Sequence, residues 1–461
     1  MSHSSISSPR IIALAAAIAA ASSPVFADTS RIQELEQRLL ILERNLELKE
    51  EARTALEKSA PVVTAGPSGF SISNAKKDYE LKFSAIGQFD SRVFLDGARA
   101  NGAKLDDGFL TRRLRPTLQG KLGSLVGFRF TPEFTGGGVG SSASIVDAYV
   151  DLNFNNAAVV RVGKQKSAVS IDRLRSGSAL PFIERGLANE LAPNRDVGIS
   201  LNGQVAKNTL AYTVGIFNGV ADGRDATGRD YSGKAAQARV FLEPFKNDAD
   251  SVLQGLGFGV AGTYGSKKTS AGNAPLAGLP SYRSSGQETF FSYAGGAVVD
   301  GKHKRILPQL SYYKDSFGVV AEYAVSDQEV TRAAVTKSVR NKAYDVTSTY
   351  VLTGEKASFR GVQPSSQFTV GGDGWGAFEL AARVGELNID DAAFVGGPAS
   401  LADINASASK ASNYGIGLNW YLNRNLKIST DYNVTSFDGG AAGGQDRETE
   451  RALFSRVQFA Y

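Results

Sequence analysis

The residues best placed for chemistry are cations spaced two apart. In Phe109–Leu122, Thr111, Arg113, Arg115, Thr117, Gln119 and Lys121 alternate with Leu110, Leu114, Pro116, Leu118, Gly120 and Leu122. Successive side chains of a strand point to opposite faces, so three cations face one medium and a row of apolar groups the other. Only Arg112 breaks the apolar row, near one end, where it is expected at a membrane rim. The same period places Arg129, Arg161, Arg239 and Arg383 on the polar faces of later runs. An arginine fork holds two oxygens of an oxyanion, while lysine offers a compact mobile charge. The chemistry expected is reversible binding of small anions along a wet surface. Glu80, Asp90, Glu133, Asp147 and Asp151 lie close enough in sequence to pair with some of these cations.

A long connection, residues 164–195, adds Lys164, Lys166, Arg173, Arg175 and Arg185, with Arg195 at its end. Asp172, Glu184, Glu190 and Asp196 stand against them. Such a loop can hold itself in place by ion pairs and still show a few cations to a lumen.

Other chemistries are poorly supplied. Cysteine is absent, so there is no disulfide framework and no thiolate metal site. The only histidines are His3 and His303, and His303, in Lys302-His-Lys-Arg305, is expected at a surface or rim. Nucleophilic catalysis through histidine has no serine or aspartate pattern beside it. No enzyme, metal or cofactor is expected. The chain carries +5 overall, with +1 in residues 1–27 and −2 in residues 28–60, which leaves +6 for the remainder. This modest excess, behind an export signal, does not point to nucleic acid.

The elements that must position the cations follow from the periods. Arg10, the apolar run Ile11–Ala21 and the small residues Val25 and Ala27 predict a signal peptide, residues 1–27, cut before Asp28. Residues 28–60 predict a coiled-coil helix, with Ile32, Leu35, Leu39, Leu42 and Leu46 on the seam and Lys49 and Arg53 beyond. Residues 61–78, rich in Gly and Pro, predict a linker. From residue 79 to 461 the period is two. Seventeen runs fit it, 289–298 least well, and a bacterial barrel has an even number. The fold expected is all-β, a transmembrane antiparallel barrel of sixteen strands, with eighteen as the alternative. Asn155–Asn156, Lys207–Asn208 and Asn423–Arg424 predict tight turns on one rim, and long loops occupy the other. No apolar run is long enough for a membrane helix, so an exported chain that stays in a membrane must close into a barrel. The last run, Glu450–Tyr461, ends on an aromatic, as outer-membrane strands do.

Several stretches resemble the phosphate-selective porin O and P family. They are Val162-Gly-Lys-Gln-Lys166, Leu180-Pro-Phe-Ile-Glu-Arg185 and Leu191-Ala-Pro-Asn-Arg-Asp-Val-Gly198; Phe359-Arg-Gly-Val-Gln-Pro364 and Trp375-Gly-Ala-Phe-Glu-Leu-Ala-Ala-Arg383; Gly415 to Lys427; and Arg456-Val-Gln-Phe459. The resemblance implies a homotrimer of sixteen-stranded barrels in the outer membrane of a Gram-negative bacterium, its lipid around it. It also implies that a long third loop folds into each lumen. The function implied is diffusion of small anions, phosphate or polyphosphate among them. A sugar- or cation-permeable general porin is the alternative, because a coiled-coil start suits that type as well.

Overall fold

The computed structural model describes residues 29–67, 69–135, 143–226, 233–268 and 279–461. The expected signal peptide therefore lies outside the described residues. The chain divides into two units, Met1–Pro61 and Val62–Tyr461. The first contains a helix, Thr29–Ser59. Ile32, Leu35, Leu39, Leu42 and Leu46 are all exposed on it, and so are Leu40, Ile41 and Leu48. Two surface ion pairs, Glu34–Arg38 (2.8 Å) and Arg44–Glu47 (2.9 Å), add little to its stability.

The second unit is a closed antiparallel barrel of sixteen strands. In chain order these are β1 (Tyr79–Asp96), β2 (Gly108–Leu122), β3 (Val126–Glu133), β4 (Ser144–Asn155), β5 (Ala158–Lys166) and β6 (Arg195–Val205). Next come β7 (Leu210–Phe217), β8 (Ala235–Leu242), β9 (Leu256–Lys268), β10 (Val298–Lys314) and β11 (Phe317–Arg332). The wall ends with β12 (Val335–Val351), β13 (Ala377–Asn388), β14 (Ala408–Tyr421), β15 (Leu426–Gly439) and β16 (Glu450–Ala460). Each strand pairs with the next, and β16 closes on β1 with Arg456 opposite Asp90. Alternation explains the wall. Along β15, Lys427, Ser429, Asp431, Asn433 and Thr435 are buried in the lumen, while Ile428, Thr430, Tyr432 and Val434 point outward.

The run expected at 289–298 resolves the odd count. Thr289–Ser292 pairs only with Ser281–Arg283, and this small hairpin belongs to the β9–β10 connection, not to the wall. The expected linker also differs. Val62–Gly66 and Gly69–Ser73 form a hairpin whose second strand pairs with Glu80–Phe83 of β1. β16 is too short to cover that stretch, so the hairpin pairs an edge that would otherwise stand open.

Two connections fill the lumen. The β5–β6 loop and the β9–β10 hairpin bury Leu187, Leu191, Tyr282, Phe290 and Phe291 against Leu307, Ala324, Ala343, Leu387 and Ala411 of the wall. Small inward residues at Ala324, Ala343 and Ala411 make room for them. This side of the lumen is packed, so the larger open space lies on the side lined by β1 to β8 and reaches β14 to β16 at its short-turn end.

Candidate ion pathway

Three adjoining cavities run along the open side. The upper one, about 250 Å³, is bounded by Arg112, Arg113, Arg115, Lys166, Arg173, Arg185, Arg195, Arg224 and Arg283 against Glu184, Glu190 and Asp225. The middle one, about 490 Å³, shares Arg115, Lys166, Gly177 and Arg195 with it and adds Arg129, Arg161 and Arg239. Asp147 is the one carboxylate among the described residues of its lining. The lower one, about 280 Å³, shares Ile86, Thr117 and Arg129 with the middle cavity and adds Arg360, Arg424 and Lys427 near the short-turn rim.

Charge along this path is partly neutralised. Arg115 donates to Glu133 (2.5 Å), and Arg161 clasps Asp151 (2.7 and 2.8 Å) over the ring of Tyr149. Arg195 donates to Asp147 (2.9 Å), which Arg129 approaches at 3.7 Å. Arg185 meets the Asp172 carboxylate at 3.1 Å. Among the described residues, six lining cations have only neutral acceptors, Arg224 on Ser281 Oγ (2.6 Å) and Lys427 on the Leu180 carbonyl (2.8 Å) being two of them. Arg113 donates to Gln88 Oε1 (2.5 Å) and Arg239 to Gln309 Oε1 (3.0 Å). Arg173 donates to the Asn189 carbonyl (3.2 Å), and Lys166 to the carbonyls of Leu174 (3.1 Å) and Arg175 (2.9 Å). Burial lowers the Arg173 guanidinium from its ordinary value and takes Arg185 down to about 10, yet both remain charged at neutral pH. A desolvated cation gains from an anion that replaces its lost water.

The remaining expected site residues lie elsewhere. Lys121 is exposed at the short-turn end of β2 and borders none of the three cavities. Lys164 donates to the Ala226 carbonyl (2.6 Å). Arg175 turns behind the inward loop, donating to the Ser358 carbonyl (3.1 Å) with its guanidinium over Phe359. Arg383 is a tether of that loop. It donates to the Glu184 carbonyl (2.8 Å) and to Asn433 Oδ1 (3.0 Å), and stacks on Phe182. Arg383→Met should therefore leave the reversal potential of single channels unchanged and increase their current fluctuations. A changed reversal potential with steady current would show that Arg383 acts on the ions themselves.

Arg112 is not at a rim. The β1–β2 register passes from Gln88↔Arg113 to Phe89↔Thr111, so Arg112 is the extra residue of a bulge. The bulge turns it inward beside Arg113, and it grips Glu184 through Nε (2.6 Å) and Nη2 (3.1 Å). Arg92 reaches the same carboxylate (2.6 Å), and Arg456 lies 3.6 Å from it while clasping Asp90 (2.6 and 2.7 Å). Arg92 and Arg456 were absent from the expected set, although strict alternation along the first and last strands places both inward.

His303 is not at a surface. It is 3 % exposed, its Nε2 2.9 Å from Ser326 Oγ and 3.4 Å from Asp222. The three residue types are those of a hydrolytic triad, but Asp222 also accepts from Ser326 (2.8 Å), Tyr282 (3.0 Å) and Arg305 (2.6 Å). The serine hydroxyl is thus consumed within a buried network that ties the β7–β8 connection to the wall.

Known proteins share this sequence pattern and this barrel. The family model described as "Phosphate-selective porin O and P" matches residues 87–461. Porin O of Pseudomonas aeruginosa is 24% identical over 435 residues, covering 89% of this chain and 95% of that one. The crystal structure of the outer membrane channel DcaP of Acinetobacter baumannii superposes with a TM-score of 0.55 at 14% identity, over 84% of this chain and 99% of that one.

Proposed function

We propose, because the chain belongs to the phosphate-selective porin O and P family, that this outer-membrane porin conducts small anions in preference to cations. The observation that carries the proposal is the lining itself. Nine cations and three carboxylates border the upper cavity, and Arg113, Lys166 and Arg173 there have no carboxylate within ion-pair distance among the described residues. A pore selects by the charges at its narrowest part, where Coulomb terms are least screened. The arginines suit oxyanions because each presents a planar pair of donors, so phosphate is the anion we expect to bind. Binding must stay weak enough to release the ion at the next station, and the overlapping linings of the three cavities supply such stations.

The same reading covers assembly. The exposed seam Ile32, Leu35, Leu39, Leu42 and Leu46 supports a coiled coil between copies of the chain, and three copies make the trimer. Residues 1–27 act as the cleaved export signal.

The test is a salt gradient across a planar bilayer holding the purified protein. The reversal potential should report anions as the main carriers, and added phosphate should reduce chloride conductance in a saturable way. A reversal potential of cation-selective sign sinks the proposal, and chloride conductance indifferent to phosphate sinks its oxyanion part.

A further inference from the structure

The connection between β12 and β13, residues 352–376, is the longest on the short-turn rim and contains the Phe359–Pro364 motif. Its first half enters the lumen. The Ala357 amide donates to the Asp315 carbonyl (2.7 Å), and Ala357 and Val362 pack with Val351, Ala377 and Tyr421. Ser358 and Phe359 meet Arg175 of the inward loop from below. Its second half lies on the outer wall. The Phe368 amide donates to the Leu422 carbonyl (2.7 Å), and the Thr369 amide to Gly374 (3.0 Å), which makes a tight turn. Phe368 stands edge-on to Trp420 at 5.1 Å, and Trp420 stacks on Phe378 at 5.7 Å. The Trp420 indole donates to the Trp375 carbonyl (2.8 Å), which pins the turn to the wall.

This turn presents apolar groups with no protein cover among the described residues. Val370 is 91% exposed and Trp375 is 63% exposed. The outward faces of β13 and β14 lead from Phe378 and Trp420 to Leu380 and Leu418, which line an open groove of about 540 Å³ with Tyr350, Ile416, Tyr432 and Leu453. The groove is continuous with the lipid-facing wall of the barrel. Trp and Tyr favour the boundary between head groups and hydrocarbon, whereas Val370 calls for hydrocarbon itself.

We propose that Gln367–Trp375 is an interfacial foot that seats one phospholipid of the leaflet on the short-turn side. An acyl chain lies in the Leu380–Leu418 groove, and the glycerol and head group lie beside Trp375. Because the other half of the same connection braces Arg175, the seated lipid steadies the inward loop as well. The inference does not depend on ion selectivity.

The two tryptophans make the test direct. Trp420→Phe keeps the ring stack on Phe378 and leaves Trp375 as the one indole. The full-length variant is reconstituted in vesicles of phosphatidylcholine brominated near the head-group end of the acyl chains, and in the unbrominated lipid. Bromine should remove at least about half of the Trp375 emission, as contact with the interfacial acyl region requires. Equal emission in the two lipids overturns the proposal. Iodide quenching from the water phase would then place the foot in water, and shielding from both quenchers would place a protein neighbour over it. The parent protein and Trp375→Phe repeat the comparison with the Trp420 hydrogen bond's donor in place, whether or not Trp420→Phe folds: bromine-sensitive emission that is smaller in Trp375→Phe than in the parent supports the foot, and an equal bromine-sensitive emission overturns it.

Discussion

Arg113→Glu should lower the anion-over-cation permeability ratio by about tenfold. The substitution changes the local charge by two at a site that borders the upper cavity. For an anion about 6 Å away in water, two elementary charges amount to about 1.4 kcal/mol, which by itself is one decade in the ratio before the cation's opposite gain is added. The lumen is less polarisable than bulk water, so this is a lower bound on the direct term. Arg113 is the sharpest choice because, among the described residues, its guanidinium bonds only to Gln88, so no carboxylate of the wall is released when it goes. Arg115→Glu is a blunter change, since it sets a second carboxylate against Glu133 and disturbs the wall. The reversal potential in a chloride gradient reads the effect, and Lys121→Glu is the control. Lys121 borders none of the three cavities, so its reversal should move the potential little. Equal shifts for Arg113→Glu and Lys121→Glu would mean that net charge, not the lining, sets selectivity.

How far the sequence disclosed this arrangement depends on what alternation can see. Period two was sufficient to set Arg113, Arg115, Arg129, Arg161 and Arg239 on one surface, because each sits in a regular stretch of strand. It failed at Arg112, where one extra residue in β2 inverts the phase, and a bulge is a property of the pairing of two strands. It could not separate lining from tether among inward arginines. Arg383 and Arg239 look alike in sequence, but Arg383 meets Phe182 and the Glu184 carbonyl of the inward loop, whereas Arg239, held by Gln309 of the wall, borders the middle cavity. That difference arises from where two loops fold, which no local pattern encodes. A signal for the second insert was present all the same. Tyr282, Phe290, Phe291 and Tyr293 cluster in a connection that would otherwise be polar, and Ala324, Ala343 and Ala411 leave space on the facing wall.

Glu184→Gln should destabilise the folded barrel and loosen the constriction together. Glu184 is the point at which the inward loop meets the wall, with Arg92 at 2.6 Å, Arg112 at 2.6 Å and Arg456 at 3.6 Å. Burial works against the charged carboxyl, but Arg112, Arg92 and Arg456 outweigh it and hold the group well below the usual carboxylate range. Removing one partner from a buried ionic cluster costs about 3–5 kcal/mol, because the others keep their desolvation penalty and lose its compensation. The thermal transition should therefore fall, and single-channel current should become noisier as the loop gains freedom. Arg112→Met in the Glu184→Gln background should cost less than the sum of the two single changes, since it removes a cation already left without its partner. Full additivity would show that Arg112 and Glu184 act independently. The pH dependence has a definite sign. A carboxyl held below its unfolded value adds stability above the ordinary carboxylate pKa of about 4.3 and loses it only as pH falls through the lower folded value. The parent protein should thus keep quiet single-channel current at about pH 4.3, whereas Glu184→Gln should be noisy at that pH and at neutrality alike. If the parent becomes noisy near pH 4.3, Glu184 is not held by the three arginines.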